Sequence, residues 1–129
     1  MNSSYKIAAA VIGSFVLGAG AANILHAQAK PPGFMFAEVD VKDQDGYTQE
    51  FLPKAIANTE ESGGKLLAGG FNKAISLSGS PPPNRVILLH FADMDAVKAF
   101  NVKERQLQAD IGDKYASFRT IGIEGVEQK

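Results

Sequence analysis

The chain has 129 residues, with 13 Lys and Arg against 14 Asp and Glu, two His and no Cys. This near-neutral balance leaves no basic footprint for nucleic acid or an anionic membrane surface. The lack of cysteine removes disulfides, thiolate nucleophiles and cysteine-ligated metal sites.

Residues 1–29 carry one charge, Lys6, followed by an uncharged run over residues 7–25 and the small-x-small sequence Ala27-Gln28-Ala29. The layout predicts a secretory signal peptide cleaved after Ala29, and hence a periplasmic or secreted domain with no membrane attachment after cleavage. The competing reading is a retained anchor, for which a spanning helix needs roughly 20 apolar residues. Ala8, Ala9, Ala10, Gly13, Gly18 and Gly20 are weakly hydrophobic for that role, and Asn23 interrupts the end of the run. Removing Lys6 with the signal takes the formal charge from −1 to −2, and losing His26 leaves His90 as the only histidine. One histidine makes no multi-histidine zinc site within a subunit. No serine sits in a nucleophile elbow and no glycine run matches a nucleotide fingerprint, so neither metal nor cofactor is expected.

After a stiff leader at residues 30–33, the domain is expected over residues 34–126, with a tail at 127–129. Phe34 to Val41 alternates with a period of two, which marks a strand. Met35, Ala37, Val39 and Val41 form an apolar face; Phe34, Phe36, Glu38 and Asp40 form the other, which begins aromatic and ends acidic. Asp43 or Asp45 can cap the helix that follows, whose stripe is Tyr47, Phe51, Ala55 and Ile56. Pro53 predicts a kink or break there, because it lacks a backbone donor. The helix is expected to end at Ser62-Gly63-Gly64.

Lys65 to Phe71 predicts a second strand, with Gly69-Gly70 marking a bulge or a close backbone approach. The prolines at 81–83 place a loop before Arg85 to Phe91, the most apolar strand of the chain. Asp93 or Asp95 caps a helix with Met94, Val97 and Phe100, and a second helical piece is expected with Val102, Leu107 and Ile111. Lys103, Glu104, Arg105, Asp110, Asp113 and Lys114 read as a solvated face. Ser117 to Val126 predicts a closing strand. The order is that of an α+β, ferredoxin-like βαββαβ fold, an antiparallel sheet with both helices on one face. The uncovered face, too apolar for solvent alone, predicts a homodimer.

Asp45-Gly46-Tyr47, Glu61-Ser62-Gly63-Gly64-Lys65, Leu67-Ala68-Gly69-Gly70, the run from Pro83 to Phe91, and Glu124-Gly125 together resemble the domain of unknown function 1330 group. The resemblance covers roughly residues 34–126. It implies membership of the dimeric α/β-barrel superfamily, with the sheet completing a barrel in a homodimer. That superfamily includes cofactor-free oxygenases, isomerases and haem proteins, and a shared fold transfers none of their chemistries. Ala68 stands where members usually carry a basic residue, His90 where they carry glutamate, and Val102-Lys103-Glu104-Arg105 replaces a Ser-x-Glu-Tyr-like segment.

Four residues are candidates for catalysis: His90, Arg85, Glu38 and Tyr47. His90 reads as a base, as a haem ligand or as a hydrogen-bonded interface histidine. Arg85 reads as a carboxylate fork or as a salt-bridge partner of Glu38 or Asp40. Glu38 and Asp40 read as an acid–base pair or as solvated strand-end carboxylates, and Tyr47 as a cleft hydroxyl or as core. The candidate ligand-binding residues are Phe36, Asp40, Arg85 and His90. The leading expectation is a non-catalytic, exported homodimer binding a small molecule or a protein partner. The alternatives are a cofactor-independent oxygenase or isomerase using His90 and Arg85, and haem binding through His90.

Overall fold

A computed structural model describes residues 30–126. The signal reading at residues 1–29 and the tail at 127–129 lie outside the described residues. Among those described, no helix is long and apolar enough to cross a membrane.

Strand β1 runs Gly33–Val41, and helix α1 (Gln44–Gly46) leads through a wide π-helical turn (Tyr47–Phe51) into α2 (Leu52–Glu61). Strands β2 (Lys65–Phe71) and β3 (Arg85–Phe91), helix α3 (Met94–Asp110), a short 3₁₀ turn (Gly112–Lys114) and β4 (Ala116–Glu124) complete the domain. The strands form one four-stranded antiparallel sheet in the order β2-β3-β1-β4. This is the expected ferredoxin-like order, with the helices on one face. The expected barrel is corrected: β2 and β4 are the two edges of an open sheet and do not pair with each other. Four strands in this order leave nothing to join the edges.

The two alternating faces of β1 separate as their side chains demand. Met35, Ala37, Val39 and Val41 are all buried under the helices. Opposite them on β3, Leu89 pairs with Met35, Ile87 with Ala37 and Arg85 with Val39. The core has two clusters. One gathers Tyr47, Phe51 and Ala55 over Ala37, Val39 and Val41; the other gathers Val97 and Phe100 over Met35, Leu89 and Phe91.

The helix starts follow local chemistry. Asp43 accepts from the Gly46 amide and Asp93 from the Ala96 amide, each satisfying a first-turn donor. The interruption expected near Pro53 is present as the π-helical turn over Tyr47–Phe51, which ends where α2 begins, and Pro53 itself breaks no helix. It stands in the first turn of α2, after a turn in which the Leu52 amide reaches back to the Tyr47 carbonyl, five residues away. The 94–110 segment is one continuous helix and not two pieces, because no residue in it removes a donor or favours another conformation.

In β2 the register slips between Leu66 and Ala68, so the bulge falls at Leu67. Gly69 is the close approach: a Cβ there would lie 1.9 Å from the Val86 carbonyl oxygen, and its φ is +101°. Asn84 closes the sheet at the other end. Its side-chain oxygen accepts from the Val41 amide (2.9 Å), and its side-chain amide donates to the Val41 carbonyl (2.8 Å). Its backbone carbonyl accepts from the Asn72 amide at 2.7 Å.

Candidate functional site

Between the helices and the sheet lies a cavity of about 280 Å³. Its floor is the buried sheet face, with Met35, Ala37, Ile87 and Leu89; its walls include Phe51 and Ala55 on one side and Phe100 on the other. The lining mixes small side chains, Ala37 and Ala55, with the rings of Tyr47, Phe51, Phe100 and Phe118. Such a space between layers is where apolar ligands are held, with a few polar groups fixing orientation.

The polar groups in the lining are Tyr47, Arg85, Glu104 and Gln108, together with Thr59 and Thr120, which are half-buried, and Glu60, which is exposed. Arg85 opens β3 on the floor side. Its guanidinium carbon lies 5.0 Å from the Phe71 ring centre and 5.9 Å from that of Tyr47, within cation–π range. Its Nε is buried and has no hydrogen-bond partner. Tyr47 is 3% exposed. Burial raises the pKa of its hydroxyl, and the charge of Arg85 opposes that rise.

Glu104 is 8% exposed, one turn beyond Phe100 on the inward side of α3. The solvated face expected for this residue is therefore corrected. Asn58 of α2, itself buried, donates to Glu104 Oε1 at 3.0 Å. Loss of water raises the Glu104 pKa above the ordinary carboxylate value, and the Asn58 bond pulls it partly back. Gln108, a further turn along, is also buried and lines the same wall. The sequence did carry a signal for this wall: Val97, Phe100, Glu104, Gln108 and Ile111 share helical spacing, so Glu104 and Gln108 interrupt an apolar stripe.

The other candidates stand elsewhere. His90 lies on the opposite sheet face, its ring 5.4 Å from that of Phe34 and edge-on to it at 71°. Phe36, Glu38 and Asp40 share that face, and Glu38 pairs with Arg119 at 3.2 Å in partly exposed surroundings. The Arg85 bridge to Glu38 or Asp40 is thus absent, since period-two alternation sends those side chains to opposite faces. The structure brings Arg85 and Tyr47 together and separates both from His90, Phe36, Glu38 and Asp40. The open face is apolar at its centre, where Phe36 lies between Leu88 and Ile121 and Phe34 between His90 and Ile123. Among the described residues, no three His, Asp or Glu side chains converge as a metal site.

Among solved structures, the fold is similar to that of the RPA0582 protein of unknown function from Rhodopseudomonas palustris. The TM-score is 0.58 at 14% identity, covering 84% of this chain and 94% of that one. The methylated RPA0582 protein gives a TM-score of 0.56 at 15% identity, covering 84% and 91%. At such identities the likeness concerns the fold alone. No curated protein matches the chain. The family described as "Domain of unknown function (DUF1330)" matches residues 32–126, and the chain belongs to that family.

Proposed function

We propose that this domain holds a small, largely apolar molecule bearing one acidic group in the cleft between sheet and helices, without transforming it. The observation that carries the reading is the buried, unpartnered Nε of Arg85 on the sheet side of a predominantly apolar cavity of about 280 Å³. A buried donor without a partner is costly, and a ligand carboxylate would satisfy it in the side-on geometry that guanidinium favours. The cavity lies at the lower end of ligand-pocket volumes, which limits the occupant to a small acid. An enzyme using His90 and Arg85 on one substrate gains no support from their placement on opposite faces.

Calorimetric titration with 3-phenylpropionate tests the reading. Saturable binding to the wild type and its loss in Arg85→Met are expected; no binding to either rejects it.

Two further properties belong to the same proposal. The half-exposed Ile123 and the neighbouring Phe34, Phe36 and Ile121 support pairing of two copies through the open face. Light scattering would read the mass, and a monomer at high concentration would oppose this. The charge and small-residue pattern of residues 1–29 supports export and cleavage. Intact mass of the protein recovered from its host would reveal whether the segment is removed.

A further inference from the structure

We infer that the cleft selects acids whose apolar body also carries a hydroxyl, and that Glu104, flanked by Gln108, reads that hydroxyl. The inference rests on Arg85 anchoring the acid group, as proposed above.

Glu104 occupies a stripe position that packing alone would give to leucine. Its neighbours on the same side of α3, Val97 and Phe100, are buried at 3% and 2% exposure. A carboxyl at such a position loses water and requires compensation. Asn58 supplies one bond, to Oε1. A carboxyl has room for about four acceptor contacts, so one neutral donor leaves capacity for more. The group also lines the cavity rather than being sealed between helices.

Glu104 belongs to the helical wall and Arg85 to the sheet, so a molecule lying between the layers meets a guanidinium on one side and a buried carboxyl on the other. The two groups differ in chemistry. Arg85 only donates, and it takes an anion. Glu104 accepts when ionised and both donates and accepts when protonated, so a hydroxyl satisfies it in either state. A second carboxylate on the ligand would meet Glu104 as a like charge in a water-poor site. The ligand class that fits is therefore a monoacid with a neutral hydroxyl on its apolar part. A site built to bond a hydroxyl discriminates strongly against the analogue lacking it, because its own buried polar group is then left unpaired.

The test titrates the full chain with 3-phenylpropionate and with its 3- and 4-hydroxyphenyl analogues. The better hydroxylated acid should bind about tenfold tighter than the parent, the worth of one hydrogen bond to a charged or polar buried group. In Glu104→Leu that preference should vanish while the parent still binds. Should that variant fail to fold, the wild type labelled with ¹³C at glutamate side-chain carboxyls gives a second readout. The Glu104 resonance, identified by its loss in Glu104→Gln, should shift with the hydroxylated acid and stay in place with the parent. Equal wild-type affinities for all three acids, or a preference undiminished in folded Glu104→Leu, would overturn the inference and leave the Arg85 anchor standing. Failure of all three to bind the wild type would overturn both.

Discussion

Replacing Arg85 with methionine separates a structural role from a binding role, because the two predict opposite things for stability. Methionine keeps most of the unbranched stem, so the apolar packing of the side chain changes little. What the fold loses is the cation–π contact with Phe71, at 5.0 Å, and the weaker one with Tyr47. These contribute about 1 kcal/mol together in a partly exposed setting. Against this, the variant removes a buried Nε that has no partner, relieving a desolvation penalty of about 1–3 kcal/mol. The balance leaves the variant between unchanged and about 2 kcal/mol more stable, so the urea midpoint should hold or rise. Affinity for 3-phenylpropionate should fall roughly tenfold to a hundredfold, since a charge-assisted bond contributes about 1.5–3 kcal/mol. Urea unfolding and calorimetry on the same preparations read both quantities. A loss of stability above about 2 kcal/mol with unchanged affinity would mean that Arg85 is a structural residue and would refute the reasoning.

Glu104→Gln keeps the acceptor for Asn58 and removes the titration. A carboxyl whose pKa is raised in the folded state stabilises the fold fully below its unfolded value and loses that contribution as pH rises through the folded value. The advantage of the variant over the wild type should therefore be larger near pH 8 than near pH 4, where both groups are neutral or nearly so; urea unfolding at the two pH values gives the difference, and an advantage confined to acid would contradict the burial argument. Asn84→Ala removes two hydrogen bonds to the Val41 backbone and should cost about 1–3 kcal/mol in the same assay. A change below roughly 0.5 kcal/mol would mean that water replaces both bonds. Gly69→Ala must place its Cβ 1.9 Å from the Val86 carbonyl oxygen at a φ of +101°. It should lower stability by more than about 2 kcal/mol, and a thermal midpoint within a degree or so of the wild type would show that the bulge can yield.

The strands were legible because their chemistry alternates. Period two in Phe34 to Val41 assigned both faces of β1 correctly, and the apolar run from Arg85 to Phe91 coincided with β3. The ferredoxin-like order followed from these. Helix detail was less legible. Pro53 has no donor to lose within the first turn of α2, and the wide turn before it absorbs the geometry that would otherwise break the helix. Val102 is exposed, and the charged residues around it read like a boundary although they continue α3. Glu104 was hidden among those charges, since composition does not tell which side of a helix a carboxylate occupies. Helical spacing from Phe100 does tell, and it would have found the helical wall of the cleft. The cavity itself is lined from both sheet and helices, Ala37 on one and Ala55 on the other, a tertiary fact that no local pattern holds. The open sheet likewise depends on which edges meet, and the resemblance to barrel-forming proteins misjudged it.

The Asn84 clasp has an engineering consequence. Extending the pairing of Val39 with Arg85 by two residues would bring Val41 opposite Pro83, which has no amide proton to give. The carboxamide of Asn84 stands in for the missing peptide group, offering one donor and one acceptor to Val41. The same residue is tied through its carbonyl to Asn72, so the segment between them begins and ends at one fixed point. Lengthening a loop whose feet are already fastened adds only a logarithmic entropic penalty. Its exposed tip near Ser78 and Gly79 is thus a natural insertion port for an epitope or a fluorophore attachment sequence, leaving the adjacent Arg85 undisturbed.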